Sequence, residues 1–154
     1  MINFKKIFGK EFSEKEENSE ENLERKSQIA TCVILLEIAN ADNEFLEIER
    51  KNIIKIMKAE FNLSEKDSTE LIKISEKKID ESIDIWQFTN LINQNSTKEE
   101  KMKILENAWK IIYSDDRLDA YEDHLIHKIS NLLRLNHKEL IETKLKVSEN
   151  EKRD

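Results

Sequence analysis

Ile29-Ala-Thr-Cys-Val-Ile-Leu-Leu-Glu-Ile-Ala39 is apolar at nearly every position. A helix on a protein surface carries one apolar stripe, whereas a helix that is apolar all round has to be enclosed by other elements. The run is roughly half the length that a bilayer crossing needs, and Glu37 interrupts it. It is read as the central buried helix of a globular domain.

The surrounding composition says what encloses it. The chain has 154 residues, the size of one domain, and 38% of them are hydrophobic, enough to fill one core. It has no Pro, a single Gly (Gly9), and 38% charged residues. Strands joined by tight turns usually need Gly or Pro to turn on, whereas solvated helices tolerate Lys and Glu throughout. The fold class is therefore all-α: a compact bundle of about seven helices.

Capping residues and apolar periodicity place those helices. The first ends near Ala41. The second runs from about Leu46 to Glu60, with Asn62 as a left-handed cap. Ser64-Glu-Lys-Asp67 opens a third helix carrying Leu71, Ile72, Ile74 and Ile79. Asp84 caps a short fourth helix, Ile85 to Gln94. Thr97-Lys-Glu-Glu100 is a capping box for the fifth, with the stripe Met102, Leu105, Trp109 and Ile112. Asp119-Ala-Tyr-Glu122 opens the sixth, and Asn136-His-Lys-Glu139 the last, which carries Leu140, Ile141 and Leu145.

The folded domain is expected to span residues 23–147, with a charged tail at 148–154. Ahead of it, residues 1–10 (MINFKKIFGK) set Phe4, Ile7 and Phe8 at helical spacing beside Lys5, Lys6 and Lys10. Such a foot could touch an anionic membrane weakly, fill a partner groove, dock on its own domain or simply fray. Residues 11–22 add six Glu against Lys15 alone, a solvated acidic tether.

The net charge of −7 excludes nucleic acid as the main partner, because phosphate binding needs a concentrated basic face. Protein partners are expected, of unknown identity. The lone Cys32 forms no internal disulfide and lies inside the apolar run, where a thiol is inert. The expected location is cytoplasmic, or peripheral at the inner face of the membrane.

Two short stretches carry the chemistry. Asp42 to Glu49 reads DNEFLEIE, and Asp115 to Glu122 reads DDRLDAYE. Asp115 follows Asp42 by 73 residues, and Glu122 follows Glu49 by the same 73. The match extends to Ala41 with Ser114, Phe45 with Leu118 and Ile48 with Tyr121. Each half reads as a helix–hinge–helix unit, and a duplicated unit with a pseudo-twofold axis would bring the hinges near one another. Asp42, Glu49, Asp115 and Glu122 are hard oxygen ligands suited to Ca²⁺ or Mg²⁺, with Mn²⁺ ranked behind them. Four facing carboxylates repel, so a cation would stabilise the arrangement. The competing reading needs no metal: Asp115 and Asp116 are good turn residues, and Asp119 and Glu122 are capping partners. No EF-hand pattern is present.

The two hinges, together with Asp84-Ile-Trp-Gln-Phe-Thr-Asn-Leu-Ile-Asn93, Ala108-Trp-Lys-Ile-Ile-Tyr-Ser-Asp115, Tyr121-Glu-Asp-His-Leu-Ile126 and His137-Lys-Glu-Leu-Ile141, resemble the tellurite-resistance TerB-like family over about residues 29–146. The resemblance implies a compact all-α domain built from a duplicated helical unit. It also implies a divalent-cation site of hinge acids and a setting in bacterial stress responses and membrane-linked complexes. The family's hinge pattern is Ala-Asp-Gly-x-hydrophobic-Asp-x-x-Glu. Asp42 and Asp115 match its first Asp, Asp119 its second, and Glu49 and Glu122 its Glu. Asn43 and Asp116 replace the Gly, and Leu46 replaces the second Asp of the first hinge, so the second hinge is the better preserved.

Other candidates carry less. His124 and His127 lie one turn apart and could join a transition-metal site, but are read as packed or solvated. Trp86 and Trp109 are read as core or groove aromatics. With Gly9 as the only glycine, neither a phosphate-binding loop nor a nucleophile elbow can be built. The expected function is a non-enzymatic cation-binding module of the stress-response type. The alternative is a metal-free helical interaction scaffold, and a metal-dependent hydrolase ranks third. An oxyanion such as tellurite would be repelled by these acids.

Overall fold

The computed structural model describes residues 20–40, 47–81, 84–114 and 120–152. Seven helices make up the described fold: α1 (Glu20–Ala39), α2 (Glu47–Phe61), α3 (Glu65–Asp80), α4 (Ile85–Asn95), α5 (Lys98–Tyr113), α6 (Ala120–Leu132) and α7 (His137–Lys152). No strand occurs among the described residues. α1 begins at Glu20 and α7 runs through Lys152, so each reaches into a stretch read as tether or tail. Glu- and Lys-rich sequence carries good helix propensity, which lets a packed helix extend by a turn into solvent.

The apolar run behaves as its composition demands. Every residue from Ile29 to Leu36 is at least 97% buried, with none more exposed than Thr31 at 3%. α1 packs on α2, α3, α4, α5 and α6, while α7 covers α5 and α6 instead. Each enclosed Leu or Ile contributes about 1.5–3 kcal/mol, against at most about 1 kcal/mol for an exposed ion pair. Burial of α1 therefore outweighs the surface charge pairs.

Glu37 is the exception within the run. It is half-buried, and burial pushes its carboxyl above the usual range while the nearby Lys128 of α6 pulls it back.

Local signals explain the helix starts. Ser64 Oγ accepts from Asp67 N at 3.0 Å, and Asp84 Oδ1 accepts from Trp86 N at 3.1 Å. Thr97 and Glu100 close a full capping box. Asn136 Oδ1 accepts from Glu139 N at 2.8 Å while Asn136 N donates to Glu139 Oε1 at 2.9 Å, a reciprocal pair of the same kind. The Asp119–Glu122 box lies partly outside the described residues.

The ends of α2 and α6 are built alike. Asn62 has φ 53° and Arg134 has φ 61°, both left-handed. The next residue in each case, Leu63 or Leu135, is buried, and its N–H donates back five residues, to Lys58 O at 3.3 Å and to Ser130 O at 3.0 Å. This is the Schellman closure of a helix, and it recurs 72 residues apart. Packing follows the same correspondence: α3 lies on α1 as α7 lies on α5, and α2 touches α5 as α6 touches α1.

Two aromatic and apolar expectations divide. Trp109 is fully buried, and its Nε1 donates to Thr143 Oγ1 of α7 at 3.2 Å. Lys144 Nζ sits 5.3 Å from the Trp109 ring centroid. Trp86, by contrast, is 54% exposed, and so is Leu145. The reason is helical phase: each sits two positions from an inward-facing residue (Phe88, and Thr143 or Val147), which rotates it to the far side of its helix.

Two outcomes follow. Thr143→Val should leave the buried Trp109 N–H without an acceptor and destabilise the protein by about 1–3 kcal/mol, read as a lower denaturant midpoint. Glu37 has a raised folded-state pKa, so folding favours its protonated form, and that contribution is lost as pH rises from about 4.5 through the folded value. Glu37→Gln should therefore raise the melting temperature at pH 7, and the gain should shrink as pH falls through the folded value and be gone below about 4.5, measured by thermal unfolding across pH.

Candidate metal centre

α2 and α6 are the helices that follow the two acidic hinges. Their first turns carry Glu47 and Glu49 in α2, and Glu122 and Asp123 in α6. A carboxylate at a helix N-terminus is favoured by the unpaired N–H groups and the dipole there. That alone would suit a solvent-facing acid, as Glu47 is. Glu49 and Glu122 instead lie buried at 3% exposure each, and neither is without a partner. The two buried acids are the pair matched by the 73-residue register. Both of their helices pack against the same two neighbours, α1 and α5.

Burying a carboxylate carries a large desolvation cost unless hydrogen bonds or positive charge offset it. Glu139 is buried by the ordinary route: it closes the Asn136 capping box, and Lys98 covers its other oxygen in an ion pair. Glu106 is handled likewise, with Lys146 Nζ at 2.8 Å and Lys103 Nζ at 3.6 Å.

Asp42 and Asp115, the first acids of the hinges, lie outside the described residues, as do Asn43, Leu46, Asp116 and Asp119. Of the four sequence-predicted ligands, the structure therefore places Glu49 and Glu122. Carboxylate oxygens are hard donors, of the kind that Ca²⁺ and Mg²⁺ take.

The other candidates fall away from this centre. His124 is exposed. His127 Nε2 lies 3.7 Å from Asp123 Oδ1, and its ring stacks on His137 at a centroid distance of 6.0 Å. Among the described residues, no three His, Cys, Asp or Glu side chains are grouped to hold a metal. Cys32 is buried, and burial pushes its thiol up to about 12 even though Ser75 hydrogen-bonds to it. A thiol held that far from ionisation is a poor nucleophile or ligand. No described helix is long and apolar enough to cross a membrane.

Sequence reading missed the left-handed Arg134 and the matching helix ends. The signal was present, since Asn62-Leu63-Ser64 and Arg134-Leu135-Asn136 share the order polar, Leu, cap.

An all-α domain with two buried first-turn glutamates at matching positions is the class that the fold and site define. The chain matches the family model described as "Tellurite resistance protein TerB" over residues 28–145, and it belongs to that family. Comparison with curated proteins and with solved structures gave no significant match.

Proposed function

We propose that the chain is a non-enzymatic TerB-family module whose two hinges together hold one divalent cation, Ca²⁺ or Mg²⁺ ahead of Mn²⁺, in a stress response of the tellurite-resistance type. The observation that carries this reading is the burial of Glu49 and Glu122 at equivalent positions while Glu47 faces solvent. The 73-residue register of the hinges and the 72-residue register of the helix ends support a duplicated unit. In such a unit one hinge offers too few ligands, and two offer four: Asp42, Glu49, Asp115 and Glu122. The cation would neutralise charge that folding has buried, coupling metal occupancy to the packing of α2 and α6 on α1 and α5.

A metal-free interaction scaffold is the second reading, favoured by the exposed aromatic side chains of Trp86 and Tyr121, 54% and 70% accessible. Exposed aromatics of this size are the anchors that protein interfaces use.

Thermal unfolding separates the two. A ligand bound only by the folded state adds about 2.7 kcal/mol at a hundredfold excess over its Kd. Millimolar Ca²⁺ or Mg²⁺ should raise the melting temperature beyond an ionic-strength control. Asp115→Asn should abolish most of that rise, and Asp42→Asn should remove less, because Leu46 has already taken an acid from the first hinge. An unchanged melting curve with Ca²⁺, Mg²⁺ and Mn²⁺ would leave the hinges as turns and caps, and the scaffold reading would stand.

A further inference from the structure

A cleft of about 700 Å³ opens between the first turns of α1, the end of α2 and the α4–α5 junction. Its apolar surface comes from Leu23, Phe61 and Ile104. Its acids are Glu24, Glu60, Glu99 and Glu100, with Lys103 the one basic residue among those lining it. Lys103 is already drawn to Glu106 at 3.6 Å. The cleft thus presents greasy walls and a negative rim.

One polar group in it is unspent. Asn107 is 2% exposed and lines the cleft, and its Nδ2 donates no hydrogen bond among the described residues. An unmade hydrogen bond on a buried amide is costly, and such groups ordinarily have a partner. Its neighbours do not compete for it: Gln28 accepts from Arg25 Nη1 at 3.0 Å, and Thr31 donates to Ser27 O at 2.9 Å. The cleft therefore asks for a ligand with apolar groups, positive charge and a carbonyl-type acceptor.

We propose that this cleft is a docking site for a lysine- and aromatic-bearing peptide segment, and that its occupant is the chain's own residues 1–10. Phe4, Ile7 and Phe8 match the apolar walls, Lys5, Lys6 and Lys10 match the acidic rim, and any backbone carbonyl suits Asn107 Nδ2. Connectivity favours the same occupant. Residues 11–19 connect Lys10 to Glu20, where α1 starts, and α1 itself supplies Leu23 and Glu24 to the cleft. Nine residues span up to about 30 Å when extended, so the tether reaches. A tether this short gives an effective concentration in the millimolar range, so even a contact of millimolar affinity is substantially occupied. The same lysines in trans to a membrane would have no such advantage, and one or two helical turns bind lipid weakly.

The test is site-resolved trypsin cleavage of the full chain after Lys5, Lys6 and Lys10, followed by mass spectrometry. The comparison is the Glu24→Gln, Glu60→Gln, Glu99→Gln variant, which removes three rim charges and adds no cleavage site. Circular dichroism should show both proteins equally helical. The parent should be cut about tenfold more slowly than the variant, and the difference should close in 0.5 M salt, where rim charges are screened. Asn107→Leu should speed cleavage at low salt as well, without unfolding the domain. Equal cleavage rates in parent and variant would overturn the proposal. So would binding of both proteins, to the same extent, to vesicles containing anionic phosphatidylglycerol, because the segment would then serve the membrane and not the cleft.

Discussion

The enclosure of α1 is the constraint on which the rest of the molecule depends. An eleven-residue run with one charged side chain cannot face water along any side, so the chain must supply neighbours in every direction. Helices α2 to α6 do so, each with an apolar stripe and a polar or charged back, and α7 packs against α5 and α6. With helices shorter than about 15 residues marginal in isolation, their persistence follows from this packing more than from propensity. The caps at Ser64, Asp84, Thr97 and Asn136 fix where four of the helices begin, and the left-handed residues Asn62 and Arg134 fix where two stop.

Most of this was legible because it obeys local rules. Apolar period and capping residues act over four to eight positions, so sequence alone located the central helix, the helix order and most starts. What sequence did not reveal depends on helical phase and on distant neighbours. Trp86 reads as a core or groove aromatic by type, but two residues of rotation from Phe88 carry it to solvent. Arg134 occupies a left-handed site that usually selects Gly or Asn, so its side chain gave no warning, and only the matching position of Asn62 did. Asn107 reads as one more polar residue on a stripe, and only the tertiary fold brings it to the cleft without a partner.

The hinge acids sit between these cases. Their spacing was visible from the start, and it suited turns and caps ahead of metal. Burial distinguishes Glu49 and Glu122 from the ordinary first-turn acids such as Glu47, Glu65 and Glu99, which remain exposed. It does not by itself separate them from Glu139, a buried capping acid that Lys98 neutralises. What marks the hinge pair is recurrence: a buried carboxylate at the third residue of α2 and again at the third residue of α6, 73 positions on. A repeated helix start would repeat a capping acid as readily as a metal ligand, so the shared ion stands as the proposal and the match alone fits both readings.

The most direct measurement of that shared role is amide hydrogen exchange at the first turns of α2 (residues 47–50) and α6 (residues 120–123), with and without millimolar Ca²⁺ at constant ionic strength. Local opening at helix starts is ordinarily the first to exchange, so protection there reports on what holds the hinge. If one cation is held by both hinges, both turns gain protection together and at the same half-saturating Ca²⁺ concentration. Protection that changes at neither turn, or at one turn independently of the other, would contradict a site shared between the two halves.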